Sequence, residues 1–386
     1  SLNLDGSELS LPLLRGEYGA HSKLDLSRRG LGMASAVVIA ELMKGNATSS
    51  QLDLSDNRLG GAKGGGADAL AAARAIGELL CEPGCPLKQV ALTGNGLQGA
   101  GWCAIFDALA KRGKDNKVDR WLLAGEQLPH DAVQSLASYV GDAKTSYALR
   151  ELDLSQNPLG ERGAKLLAKA LDRQSTLTEL RLRNTSLGVA GAKAIAKALE
   201  RNGVNGVRSG LHSVDLFASG IQVDGLRALL DALRSGGLPK LTSLDVGNNH
   251  VGRDGAKRLL RLLRDRFPRI RSVGLASCDL GQADAGGRAD GAEALRDFVH
   301  DAAHLEVLAL PYNNFGPEGA KLLADGLRRN ESLSELDLSN TTGARRDQNL
   351  GSDGAKALAD YLTGRSCGLR KLTLHHSGLG RAGVQA

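Results

Sequence analysis

One pattern decides what this chain can fold into. The stretch LDLSQNPLGERGAKLLAKAL, from Leu152 to Leu171, joins an alternating apolar run, an Asn, a Gly and a helical pattern. The same order, L-x-x-L-x-L-x-x-N-x-L with any aliphatic residue at the Leu positions, returns along the whole sequence. Its paired apolar residues fall at Leu24/Leu26, Leu52/Leu54, Val90/Leu92, Trp121/Leu123, Leu152/Leu154 and Leu180/Leu182, then at Val214/Leu216, Leu244/Val246, Val273/Leu275, Leu308/Leu310, Leu336/Leu338 and Leu372/Leu374. Successive copies lie 28, 38, 31, 31, 28, 34, 30, 29, 35, 28 and 36 residues apart. A floor of 28–31 residues with occasional insertions marks an array of one supersecondary unit. A degenerate further copy, LNLDGSEL, starts at Leu2.

Each position of the unit has a physical task. Apolar residues at alternate positions of LDL point to one side of a short strand and enter a core, while the residues between them face out. The Asn or Cys that follows (Asn57, Asn95, Asn157, Asn249, Cys278, Asn313) sits where the chain leaves the strand. There a small polar side chain bonds backbone groups that the turn leaves unpaired. Arg29, Glu126, Thr185, Ser219, Thr341 and Ser377 hold that slot in other copies, so an interrupted ladder is expected. The segments GERGAKLLAKALDR, GVAGAKAIAKALER, GRDGAKRLLRLLRD, GPEGAKLLADGLRR and GSDGAKALADYLTG then repeat Ala and Leu at helical spacing. The Ala of GAK lets each helix lie close to its neighbours.

Strand–turn–helix units of this length, with helices reading G-x-x-G-A-K-x-L-A-x-A-L, resemble the ribonuclease-inhibitor-type subfamily of leucine-rich repeats. The resemblance covers essentially the whole chain. It implies an α/β leucine-rich repeat solenoid, a horseshoe with a parallel β-sheet on the concave face and α-helices on the convex face. Thirteen strands about 4.8 Å apart would line an arc of about 60 Å. A single domain over residues 1–386 is expected, with 1–23 as a degenerate N-terminal cap and 24–386 as twelve repeats, the last lacking its helix. No clear helix is expected between Leu9 and Leu24, and the open last repeat calls for a further segment or a partner to cover it.

Composition supports thin identical layers. Gly makes up 50 of 386 residues, Pro only 9, and aromatic residues 3%. The formal charge of +6 is spread over 49 basic and 43 acidic residues with no basic block, which argues against a nucleic-acid partner. No apolar run reaches the roughly 18–20 residues of a membrane span. Five scattered Cys do not make a disulfide framework, and with no leader or Cys-rich caps an intracellular, cytoplasmic location is expected. Four Asn-x-Ser/Thr triplets, at Asn46, Asn184, Asn330 and Asn340, would then be silent.

Several motifs imitate chemistry. GNGLQG (Gly94, Gly96, Gly99) matches a dinucleotide fingerprint, but Asn95 and Leu97 fall on repeat positions. GAKGGGAD (Gly61–Asp68) lacks the closing Gly-Lys-Ser/Thr of a phosphate loop and reads as an inserted loop. CEPGC (Cys81, Cys85) has no second Cys/His pair within reach for zinc. His375 and His376 lie on the last strand with no third ligand fixed by spacing. Trp121 replaces a strand aliphatic and is expected in the core, and Trp102 between helices. No catalytic, cofactor or metal residues are assigned, and no small-molecule ligand is expected.

Function in such an array falls to residues the repeat does not need. Asp recurs at one outward strand column in six of the twelve copies, either as repeat consensus or as an acidic stripe for a basic partner. Candidate partner-binding residues are Asp153, Gln156, Arg181, Arg183, Asp215, Phe217, Asp245 and Tyr312, the Arg and aromatic breaks being favoured because such residues dominate interfaces. Insertions at Gly60–Ala67, Gln282–Asp290 and Gly343–Gln348 share the strand-leaving edge, with Arg345 and Arg346 at a tip; Lys111–Lys117 and Gly203–Gly210 lie on the opposite edge. The resemblance implies a non-enzymatic protein-binding scaffold in a larger intracellular assembly, leaning towards ciliary or cytoskeletal structures. Its rivals are a GTPase-activating protein similar to the Ran activator, whose acidic tail is not seen, and a sensing or inhibitor module of a receptor.

Overall fold

The computed structural model describes residues 2–17, 22–61, 66–204, 209–281, 287–340, 349–364 and 367–385. Contacts group into two units: unit 1 is Ser1–Leu187 with Lys197–Leu211, and unit 2 is Gly188–Ala196 with His212–Ala386.

Unit 1 opens with an antiparallel hairpin, β1 (Leu2–Leu4) and β2 (Ser7–Leu9), and a short helix α1 (Leu11–Arg15). Strand and helix then alternate: β3 (Lys23–Asp25), α2 (Met33–Met43), β4 (Gln51–Asp53), α3 (Ala67–Leu80), β5 (Gln89–Ala91), α4 (Gln98–Arg112), β6 (Arg120–Leu122), α5 (His130–Val140), β7 (Glu151–Asp153), α6 (Gly160–Leu171) and β8 (Glu179–Arg181). Helix α7 (Gly188–Val204) follows. Unit 2 continues with β9 (Ser213–Asp215), α8 (Gln222–Arg234), β10 (Ser243–Asp245), α9 (Gly252–Arg266), β11 (Ser272–Gly274), α10 (Asp290–Asp301), β12 (Val307–Ala309), α11 (Gly316–Leu327), β13 (Glu335–Asp337), α12 (Gly351–Leu362), β14 (Lys371–Thr373) and α13 (Gly380–Val384).

Within each unit the repeat strands are parallel and stack in unbroken register. Leu24 pairs Leu52, which pairs Val90; Trp121 pairs Leu152, which pairs Leu180. In unit 2, Val214, Leu244, Val273, Leu308, Leu336 and Leu372 form one row. Register thins only between β5 and β6, where Gln89 and Arg120 alone are paired beside the bulky Trp121. Leu152 of β7 and Leu154 just after it are fully buried. Such a side chain contributes roughly 1.5–3 kcal/mol by leaving water. The helices bury the small-and-Leu face that their spacing predicts: α6 hides Gly163, Ala164, Leu167, Ala168 and Leu171.

The Asn ladder is present and does two jobs at once. Asn157 Nδ2 donates to the carbonyls of Leu123 (2.7 Å) and Leu154 (3.0 Å), tying its own strand end to the preceding one. Its Oδ1 accepts the Leu128 N–H at 3.0 Å. Asn57, Asn95, Asn249 and Asn313 repeat this arrangement, all nearly or fully buried. Three of the expected interruptions are filled by shorter hydroxyls: Thr185 Oγ1 donates to Leu182 O, Ser219 Oγ to Phe217 O, and Ser377 Oγ to Leu338 O; Arg29 and Glu126 hold two more, and Thr341 lies outside the described residues.

A second polar ladder closes the helix-to-strand turns. Asn46, Gln174 and Asn330 each donate an amide to a carbonyl of the preceding repeat and accept a backbone N–H from their own. Two of the four Asn-x-Ser/Thr asparagines, Asn46 and Asn330, are accordingly buried; Asn340 is buried beyond the end of β13, and Asn184 is exposed.

Three sequence expectations need correction. LNLDGSEL is a hairpin and not a parallel repeat strand; Asp5 and Gly6 both take positive φ (51° and 78°), the two-residue turn that Asp-Gly favours. Residues 10–16 do contain a helix, started by Ser10, whose hydroxyl accepts the Leu13 N–H, and ended by left-handed Gly16. The last repeat begins its helix as α13, with five residues. The hairpin also serves α2: the Asp5 carboxylate accepts the Gly32 N–H at 2.7 Å and the Ser35 hydroxyl, and these two bonds hold its carboxyl below the usual range.

Candidate functional site

The alternation that sends Leu152 and Leu154 inward leaves three outward positions per repeat: before, between and after the two core residues. The middle column is the one rich in Asp. In all six cases a carboxylate oxygen accepts the backbone N–H two residues on: Asp25 from Ser27 (3.2 Å), Asp53 from Ser55 (3.0 Å), Asp153 from Ser155 (2.9 Å), Asp215 from Phe217 (2.9 Å), Asp245 from Gly247 (2.8 Å) and Asp337 from Ser339 (2.8 Å). The column therefore fixes the strand exit, and LDLS carries it as part of the repeat. At Asp25 the Ser27 hydroxyl, the Ser27 N–H and Lys23 together hold the carboxyl down to about 2.

The position two residues after the second core residue is left-handed in nearly every repeat. Arg28, Asp56, Gln156, Asn184, Ala218, Asn248, Ser277, Tyr312 and His376 all have φ of 52–61°. Asn and Gly reach this conformation cheaply, whereas a bulky side chain is strained there. Two candidate partner residues, Gln156 and Tyr312, thus stand on the array's fixed turn; Gln156 is exposed and Tyr312 half-buried.

In unit 1 the outward rows of β6, β7 and β8 form one charged network. Arg181 Nη1 reaches Glu151 (2.6 Å) and Asp153 (3.7 Å), and its Nη2 reaches Glu179 (2.6 Å). Arg120 joins Asp119 (3.5 Å) and Glu151 (3.7 Å). Burial works against the Arg181 charge, and the carboxylates of Glu179 and Glu151 outweigh it, so its pKa is raised. Beside this network Leu122 points outward and is 41% exposed. Asp153 and Arg181 are brought together as neighbours, and Arg183 lies one outward position beyond Arg181, half-buried.

In unit 2, Asp215 and Asp245 are register partners on β9 and β10. Asp245 leans over the next strand: a Cβ at Gly274 would come within 2.3 Å of its carboxylate carbon, so the small residue there is required. Phe217 is half-buried. Further along, the middle column reads Ala309, Asp337, Thr373, and a hollow of about 160 Å³ opens between β12 and β14. Arg345 and Arg346 fall outside the described residues with the whole of Gly343–Gln348, as do parts of Gly60–Ala67, Gly203–Gly210 and Gln282–Asp290.

The first outward row, holding Glu151, Glu179, Glu335 and Lys371, was not among the candidates. The signal was present, because the residue before the first core position faces outward by the same period of two.

The imitating motifs resolve into repeat chemistry. Asn95 is a ladder residue, its Nδ2 donating to Leu54 O and Leu92 O. Cys81 and Cys85 are free thiols, and burial pushes both up in pKa. Trp121 and Trp102 are buried around Phe106, Trp102 stacked on it at 5.8 Å and Trp121 edge-on at 5.3 Å. Among the described residues no group of three His, Cys, Asp or Glu is placed to hold a metal, and no helix is long and apolar enough to cross a membrane.

A family model described as a leucine-rich repeat matches residues 149–168, 173–196, 237–260 and 302–324. The strand–turn–helix array is a leucine-rich repeat fold. Repeats of this family generally mediate protein–protein interactions. A curated relative, the Tonsoku-like protein of Mus musculus, is 29% identical over 183 residues, spanning 47% of this leucine-rich repeat chain and 13% of that protein. Among solved structures, a Bacteroides fragilis protein is 14% identical, covering 86% of this chain and 67% of that one with a TM-score of 0.34. A leucine-rich repeat protein of Leptospira interrogans is 13% identical, covering 92% and 97% with a TM-score of 0.34. The tropomodulin C-terminal domain of Caenorhabditis elegans is 11% identical, covering 50% and 92% at 0.28.

Proposed function

We propose that this leucine-rich repeat protein is a non-enzymatic scaffold of the ribonuclease-inhibitor-like type, holding protein partners in a larger intracellular assembly. One observation carries the reading. Core leucines, both polar ladders and the left-handed backbone of the turn are committed to the repeat, while the outward side chains that this frame carries, Arg181 and Tyr312 among them, change from copy to copy. A constant frame presenting a variable face suits recognition of another protein surface, and Arg and aromatic residues at such positions are the strongest anchors. Placement in a ciliary or cytoskeletal structure is the finer part of the proposal, and it rests on family resemblance alone.

Affinity purification with mass spectrometry, comparing the native chain with Arg181→Glu and Tyr312→Ala, tests the scaffold. The expected result is a stable partner whose recovery drops with at least one variant. Recovery of the native chain only as a free monomer would overturn it.

A further inference from the structure

Unit 2 carries on its strand face a hollow that the repeat does not require. It measures about 160 Å³, with Val307 and Ala309 of β12, Glu335 and Asp337 of β13, and Lys371 and Thr373 of β14 around it. It exists because short side chains, Ala309 and Thr373, stand on either side of one Asp in the middle column. Two carboxylates and one ammonium line it, so the site carries one negative charge in excess. Lys371 Nζ lies 3.1 Å from Glu335 Oε2, but the two side chains are 68% and 45% exposed. Such a pair is screened by solvent, and an incoming cation displaces it easily. Asp337 is held in place by the Ser339 N–H on Oδ1. Val307 and Ala309 offer an apolar wall on which the stem of a long basic side chain can lie.

We infer that this hollow receives one basic side chain of a protein partner, arginine in preference to lysine. A single incoming cation brings the lining to neutrality. The planar guanidinium meets the Glu335 and Asp337 carboxylates with paired donors, which an ammonium cannot do. The inference rests on the reading that strand faces meet protein partners, and it names the chemistry of one contact.

The test titrates the full chain with short peptides identical except for a central Arg, Lys, norleucine or Glu, followed by NMR or fluorescence anisotropy. The Arg peptide is expected to bind at least about tenfold more tightly than the norleucine and Glu peptides. Ala309→Phe plugs the hollow without changing charge, and Glu335→Gln removes one charge without changing shape. Each is expected to lower Arg-peptide affinity by about tenfold, with urea midpoints confirming that the variants fold. Equal binding of the four peptides, no binding of any, or Arg binding untouched by Ala309→Phe would overturn the inference. A partner captured equally by the native chain and by Ala309→Phe removes the hollow and leaves the scaffold standing. Absence of any partner removes the scaffold itself.

Discussion

The strand faces of the two units are built on the same frame and have opposite characters. Across β6, β7 and β8 in unit 1, long charged side chains interlock, with Arg181 gripped by Glu151, Glu179 and Asp153. Across β11, β12 and β13 in unit 2, the middle column shrinks to Gly274 and Ala309 before Asp337, and the face is open. Backbone register, Asn ladder and buried leucines are alike in both. The face therefore varies over a constant frame: outward side chains differ from strand to strand above the same rows of buried leucines, and each is constrained by its neighbours across the strands.

Substitutions in matched pairs test that contrast between frame and face. The frame should respond equally in both units: Leu152→Ala and Leu308→Ala, both fully buried, should each cost about 2–5 kcal/mol in urea unfolding. A large difference between them would show that the layers are not equivalent. Filling the small column is next in size. Gly274→Ala should cost about 1–2 kcal/mol, because Asp245 must swing away and release the Gly247 N–H. Arg181→Leu should cost about 1 kcal/mol after solvent screening, since it removes the cation shared by Glu151, Asp153 and Glu179, and added salt should recover part of the loss. The matching Lys371→Leu in unit 2 should stay within about 0.5 kcal/mol. If the two basic residues cost the same, the contrast between interlocked and open faces fails.

A further small effect is a pH dependence at Glu126, which stands where other repeats carry the ladder Asn. Its Oε1 accepts the Gly94 N–H at 2.9 Å, and burial pushes its carboxyl above the usual range. A raised folded-state pKa means the folded chain binds the proton more tightly than the unfolded one. That contribution is full below the unfolded pKa and is lost as pH rises through the folded value. Glu126→Gln keeps an acceptor and removes the charge, so its stability relative to the native chain should rise by less than about 1 kcal/mol between pH 4 and pH 7. Thermal midpoints at the two pH values check this, and a gain at the acid end instead would reverse the assignment.

Much of this frame is legible in the residues themselves. Leu152, Leu154 and Asn157 announce strand, core and turn, and α6 buries the face its Ala and Leu spacing predicts. The N-terminal strand pair misleads because LNLDGSEL imitates the repeat, although Asp5-Gly6 between apolar residues was the stronger local signal for a hairpin. The second ladder is legible too: Asn46-Ala-Thr48, Gln174-Ser-Thr176 and Asn330-Glu-Ser332 share Asn/Gln-x-Ser/Thr, each hydroxyl donating to its amide oxygen, but two of the three look like glycosylation triplets. The candidate faces were read less well. Asp153, Asp215 and Asp245 look like a charged stripe in one dimension, but each carboxylate is taken up by a backbone donor two residues ahead. Glu151 and Glu179 were passed over because which outward row is crowded depends on neighbours some thirty residues away.

The Asn ladder has a mechanical consequence. Asn57, Asn95, Asn157, Asn249 and Asn313 each bind a carbonyl of their own repeat and one of the repeat before, so each stitches its layer to its neighbour at the turn. A tensile load applied at a chain end would meet these stitches in series, one layer at a time. A repeat of about 30 residues releases roughly 100 Å of contour length when it opens. Single-molecule extension should therefore show a staircase of near-equal steps rather than one cooperative rip, a response suited to a part that must yield gradually.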